Sequence, residues 1–143
     1  MRQKRRTMAL IYERIQVNAT AKTIYHLLST ISGIQNWLPK SAGWKITGDE
    51  GLDGVLNVQH GTEARYELQF IDLSPVESLE WLCVAGHPEW IGTTIEFLIV
   101  GRGKNSSVKL THRGWAGKSE SYHHYTQRWK IHMLNIKTAA ETP

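Results

Sequence analysis

The sequence predicts an α+β fold in which a curved antiparallel β-sheet wraps around a long C-terminal α-helix, with two short helices near the N-terminus. Three observations carry this. Between residues 43 and 115 the apolar residues recur with period two in a series of short segments separated by turn residues. From about residue 120 the period changes to 3.6 and stays there to about residue 140. The length, 143 residues of which 41% are hydrophobic, suffices for one domain with a core and is too short for two.

Each element follows from local signals. Residues 10–17 read as a strand. From Thr20, a good N-cap residue, Ile24, Leu27, Leu28 and Ile31 fall at helical spacing until Gly33 interrupts. A second short helix over 33–38 stops at Pro39, which cannot continue a helix. Strands are predicted over 44–47, 55–60, 65–73, 78–85, 93–100 and 106–115. In the last segment Tyr122, Tyr125, Thr126, Trp129, His132, Met133, Ile136 and Ala140 lie within about 60° of Trp129 at about 100° per residue, which makes an amphipathic helix. Ile131 and Leu134 lie on its other side and suggest contact with a second copy of the chain or a patch covered by the basic tail.

Turn positions predict which side chains share a sheet face, because opposed residues in an antiparallel pair have numbers adding to a constant. A turn at 74–77 sets Phe70 against Trp81, Leu68 against Cys83 and Tyr66 against Ala85. A turn at 101–104 sets Phe97 against Val108, Ile95 against Leu110 and Glu96 against Lys109, with His112 opposite Thr93. Leu56 and Val58 are expected inside.

Composition excludes several function classes. Seventeen Lys and Arg against thirteen Asp and Glu leave +4, and Arg2, Lys4, Arg5 and Arg6 account for all of it. The body is balanced, so it lacks the clustered cationic face that nucleic-acid binding needs. Residues 1–8 read as a disordered basic tail, with Met8 an alternative start, and residues 9–143 as the single domain. The apolar stretch after the basic opening ends at Glu13 and Arg14, too short for a signal peptide or a transmembrane span. The single cysteine, Cys83, forms no internal disulfide, which fits a reducing cytoplasm.

Chemical motifs are sparse. His123 and His124 point about 100° apart on a helix, and neither HExxH nor a cysteine pair occurs, so no metal or other cofactor is expected. Cys83, between Trp81 and Ala85 on the apolar face, reads as an inert core thiol. The GRGK stretch at 101–104 reads as a hairpin turn, since no helix follows it to bind phosphate. His112 has two readings: a ligand contact or general base on the apolar face, or a core histidine bonded to Thr93 or a carbonyl.

The order of elements resembles the helix-grip fold of the START-like (SRPBCC) superfamily, in the branch named for activators of the ninety-kilodalton heat-shock chaperone ATPase. The resemblance spans about residues 11–141. It is carried by IQVNATAKTIYHLLSTISGIQNWLP, by GTTIEFLIVGRGKNSSVKLTHRGW with its Thr111-His112-X-Gly114-Trp115 ending, and by WKIHMLNIK from Trp129. Arg128 stands where a Gly often precedes the helix Trp, and Ala21 where a Pro is common. The resemblance implies a cavity for lipids, sterols, quinones or polyketides, cyclase or aromatase activity in some relatives, and chaperone binding in others. Fold alone does not choose among these.

The expected site therefore lies between sheet and C-terminal helix, formed by Tyr66, Leu68, Phe70, Trp81, Phe97, Val108, His112, Tyr125, Trp129 and Met133. Its expected occupant is a small hydrophobic or amphipathic molecule. Catalytic residues are not assigned. A small enzyme using His112 and a chaperone cofactor acting through its surface are the alternative readings.

Overall fold

The computed structural model describes residues 9–142; the basic tail expected over residues 1–8 lies outside them. Seven strands form one antiparallel sheet: β1 (Ala9–Val17), β2 (Trp44–Gly48), β3 (Val55–His60), β4 (Ala64–Ser74), β5 (Ser78–Ala85), β6 (Thr94–Arg102) and β7 (Asn105–Trp115). Strands β2 to β7 run as a meander, and β1 joins at the far end beside β7, giving the order β1-β7-β6-β5-β4-β3-β2. Helices α1 (Ala21–Ser29) and α2 (Ile31–Trp37) precede the meander, and α3 (Glu120–Glu141) follows it. This is the α+β arrangement expected from the periodicities.

The local boundaries have identifiable causes. Thr20 caps α1 by accepting from the Thr23 backbone N–H at 3.2 Å. The two short helices divide at Thr30, not at Gly33 as the sequence suggests. Thr30 is extended (φ −121°, ψ 152°), and its hydroxyl accepts from Gly33 N at 2.9 Å while donating to His26 O at 2.8 Å. Gly33 sits inside α2, where a Cβ would meet the His26 carbonyl oxygen at 2.3 Å. Ser119 caps α3 by accepting from Tyr122 N at 3.1 Å.

The faces come out as expected and two registers differ. Leu56, Val58, Leu68, Phe70, Leu79, Trp81, Ile95, Phe97, Val108 and Leu110 are buried together on the concave side. Between β6 and β7 the pairs are Ile95 with His112, Phe97 with Leu110 and Ile99 with Val108, two residues from the predicted register. The cause is the turn: β6 continues to Arg102, which pairs with Asn105, so only Gly103 and Lys104 form the loop. A shift of two keeps every side chain on its face but removes the expected Glu96–Lys109 pair; Glu96 accepts from Arg113 at 3.3 Å instead. Between β4 and β5, Leu68 with Cys83 and Phe70 with Trp81 hold, but bulges on either side pair Ala85 with Glu67 instead of Tyr66.

The helix α3 packs closest to β1, α1 and α2. Its flank toward β1 bonds along that strand: Lys130 Nζ reaches Glu13 at 2.8 Å, Lys137 Nζ donates to Gln16 O at 3.1 Å and Tyr122 Oη to Leu10 O at 2.7 Å. These contacts occupy carbonyls of an edge strand that would otherwise be open to pairing with another chain. A seven-strand sheet is on the order of 30 Å wide at about 4.8 Å per strand. A helix about 10–12 Å across cannot cover it. Space therefore remains between α3 and strands β3 to β5.

The turn at 74–77 forms as predicted, with Glu77 N donating to Ser74 O at 2.9 Å and Pro75 at its second position. Val76 at the third position adopts φ 71°, a left-handed conformation that a β-branched residue adopts at a cost. Val76→Asn should raise unfolding free energy by about 0.5–1 kcal/mol, measured by urea denaturation, because Asn tolerates this conformation. An unchanged or lower midpoint would show that the turn does not hold the strain assigned to Val76.

Candidate functional site

The residual space is a cavity of about 370 Å³. Its floor is apolar: Leu56 and Val58 of β3, Leu68 of β4 and Ile95 of β6, with Ile34 and Leu38 at the α2 end. Its walls are aromatic. Trp37, Trp44, Trp81, Trp90 and Trp129 line it, with Tyr66 from β4 and Tyr125 from α3. At the mouth, between the β3–β4 turn and the first half of α3, stand His60, Glu63, Ala64, His124 and Arg128. Trp44 stacks on His60 with ring centroids 4.1 Å apart, and His60 Nε2 is 2.9 Å from Ala42 O, which makes one side of the mouth rigid.

Two bridges join α3 to the sheet around this space. The first is a hydroxyl–hydroxyl hydrogen bond between Tyr66 and Tyr125. Burial, and then that bond, push the Tyr66 phenol well above its ordinary pKa, so it stays protonated. Gly86 makes room for this tyrosine: it adopts φ 138°, and a Cβ there would lie 2.8 Å from the Tyr66 ring.

The second bridge is a relay through His112, which is 0% exposed. Trp129 Nε1–H, which can only donate, lies 3.0 Å from His112 Nδ1. Nδ1 is therefore the unprotonated nitrogen, and Nε2–H donates to Thr93 Oγ1 at 2.8 Å. Thr93 in turn donates to Trp90 O at 2.6 Å. Burial lowers the His112 pKa to about 3, so the ring is neutral and both nitrogens are engaged.

Of the ten residues expected at the site, the structure brings Tyr66, Leu68, Trp81, Tyr125 and Trp129 to the cavity surface. Phe70, Phe97, Val108, His112 and Met133 are buried behind that surface. The lining that sequence reasoning missed comes from two places. Trp37, Trp44, His60 and Trp90 arrive through chain segments whose mutual approach no periodicity reports. His124, Arg128 and His132, by contrast, recur every four residues along α3 and so form one stripe leading from the mouth inward. Arg128 lies about 100° from Trp129, just outside the face taken as buried, and the cavity occupies that flank.

The stripe ends at His132, which is 9% exposed and whose Nδ1 has no hydrogen-bond partner. Burial first, then the positive charges of Arg128 and His60, lower its pKa to about 3. Trp81 Nε1 and Trp90 Nε1 are likewise buried without partners. Cys83 is buried, donates to Ala85 O at 3.3 Å, and burial pushes its thiol up to about 11, which leaves it unreactive. Among the described residues no group of three or more His, Cys, Asp or Glu gathers as a metal site, and no helix is long and apolar enough to cross a membrane.

No protein-family model matches the chain, and no curated protein matches it in sequence. Solved structures do. The Aha1 dimer from Colwellia psychrerythraea is 24% identical with a TM-score of 0.84, over 94% of this chain and 98% of that one. Norcoclaurine synthase from Thalictrum flavum is 15% identical with a TM-score of 0.70, over 96% of this chain and 88% of that one. The di-domain ARO/CYC BexL of the BE-7585A biosynthetic pathway is 12% identical with a TM-score of 0.76; 95% of this chain covers 48% of that one. The chain has the helix-grip fold seen in these proteins.

The two buried histidines make stability depend on pH. In the unfolded chain each takes up a proton near pH 6.5, whereas in the folded chain each stays neutral down to about pH 3. Between these values the unfolded state binds more protons, so their contribution is complete above about pH 6.5 and declines as pH falls toward 3. The slope is at most about 1.4 kcal/mol per pH unit for each histidine. Urea unfolding between pH 7 and pH 4 should show this decline, and His132→Gln should flatten it. A slope unchanged by the substitution would contradict the neutral state assigned to His132.

Proposed function

We propose that this protein binds a small hydrophobic or amphipathic molecule in the cavity between its sheet and α3. The carrying observation is the cavity itself: about 370 Å³, with an apolar floor, aromatic walls and polar groups confined to the mouth and a few inner positions. That is the usual form of a small-molecule site, in which apolar area supplies affinity and a few polar groups fix orientation. The interior is not closed by its tryptophans, because Trp129 and Tyr125 are held to the sheet by the two bridges and span the space instead of filling it.

A catalytic reading draws on norcoclaurine synthase and the ARO/CYC protein among the structural neighbours. Routed through His112 it has little support. A general base needs a free nitrogen within reach of substrate, and this imidazole is buried behind the cavity surface with both nitrogens bonded. Association with a second copy has a separate basis: Ile131 and Leu134 on the outer side of α3 are 48% and 57% exposed, and the Colwellia neighbour was solved as a dimer. A chaperone partner and a cytoplasmic location rest on the sequence resemblance and composition.

The test is displacement of a fluorescent apolar probe. 1-Anilinonaphthalene-8-sulfonate should bind the wild-type protein with enhanced emission, and Ala64→Trp should reduce that binding at least about tenfold. Ala64 is half-buried at the mouth, so a large side chain there obstructs access without entering the packed core. Equal binding by both proteins, at matched thermal stability, would place the probe elsewhere and remove the support for this cavity as the ligand site.

A further inference from the structure

The fold leaves one cation facing the cavity without a counterion. Arg128 is half-buried at the mouth, and among the described residues no hydrogen-bond acceptor and no carboxylate within 4.0 Å engages its guanidinium. The other cations on α3 that face inward or along the sheet are paired: Lys130 with Glu13 at 2.8 Å and Lys137 with Glu141 at 2.5 Å. Glu63 is the one carboxylate in the cavity lining; its side chain is 81% exposed and it lies 3.9 Å from His60. Arg128 lines the same space as Tyr66 and His132.

Beside it the space is lined by Trp81, Trp90, Trp129 and Tyr125 over an apolar floor. The unpartnered nitrogens of Trp81, Trp90 and His132 are themselves shut off from that space, so Arg128 is the polar group left to fix an occupant. A half-buried arginine calls for an anion, and its planar fork suits a carboxylate held by two parallel hydrogen bonds. An apolar body with one carboxylate satisfies the floor, the walls and the mouth together.

We propose that the occupant is a compact apolar carboxylic acid, bound with its ring or hydrocarbon body among the tryptophans and its carboxylate on Arg128. This deepens, and rests on, the ligand-binding reading of the same cavity. Arg128 acts as the specificity residue, and His124, four residues before it on α3, flanks the approach to the mouth. A cationic ligand of the same shape is disfavoured by the uncompensated guanidinium, and a neutral one leaves it unpaired.

The experiment compares three probes of matched shape by quenching of intrinsic tryptophan fluorescence at pH 7: 2-naphthoic acid, its methyl ester and 2-naphthylmethylamine. The wild-type protein should prefer the acid to the ester by about tenfold or more, with the amine weakest. In Arg128→Gln the acid should lose that advantage while the ester keeps its affinity, with an unchanged thermal midpoint showing that the fold is intact. If the ester binds wild type as tightly as the acid, or if Arg128→Gln leaves the acid unaffected, the carboxylate assignment is overturned while cavity binding stands. If none of the three probes binds wild type, the cavity reading falls and this inference with it.

Discussion

The azimuth of α3 depends on the relay from Trp129 through His112 and Thr93 to the Trp90 carbonyl. Every group in it is buried, and a buried polar group left without a partner costs about 1–3 kcal/mol. Only one rotation of the helix brings the Trp129 indole N–H onto His112 Nδ1. The relay also ties together three separate parts of the chain: α3, strand β7 and the loop that leads into β6. Because the imidazole must donate on one side and accept on the other, a single tautomer serves, and the neutral ring is an adapter between two neighbours more than a reactive group.

Once that rotation is set, the two flanks of α3 have different fates. Lys130, Lys137 and Tyr122 fall toward β1, where they bond its carboxylate and backbone carbonyls and close that side. Tyr125, Arg128 and His132 fall toward β3 to β5, where the sheet curves away and the helix has no backbone close enough to pack. The cavity is thus the geometric remainder of covering a wide sheet with one helix held near one edge. Arg128 is the polar group at its mouth that neither the relay nor the Tyr66–Tyr125 bond uses, which is why its position carries information about an occupant.

The strands, their faces and the order of elements were legible in the sequence because a period of two, or of 3.6, is a property of one segment at a time. Registers were less so. The β6–β7 error of two residues traces to Gly101 and Arg102, which look like turn residues yet continue the ladder, and it left Phe97, Val108 and His112 on the correct side. Tyr66 lost its predicted partner because a bulge inserts Val84 between Cys83 and Ala85 on β5, and nothing in the local composition announces a bulge. Thr30, not Gly33, divides the first two helices, since a hydroxyl that both caps and is capped ends a helix more firmly than a glycine interrupts one.

By itself, then, the sequence determined which face of each element is apolar, and from that a sheet with an oily concave side and a helix to lie across it. It also held the stripe at 124, 128 and 132, although only His132 fell on the face read as buried and nothing distinguished His124 and Arg128 from the solvent side. Tertiary structure alone decided that Trp37, Trp44 and His60 meet Tyr125 and Arg128 around one space, and that His112 is spent on a helix anchor behind it. The reason is physical: periodicity records the direction of side chains about their own axis, whereas a cavity is set by the distance and rotation between axes, which long-range packing and buried hydrogen bonds fix together.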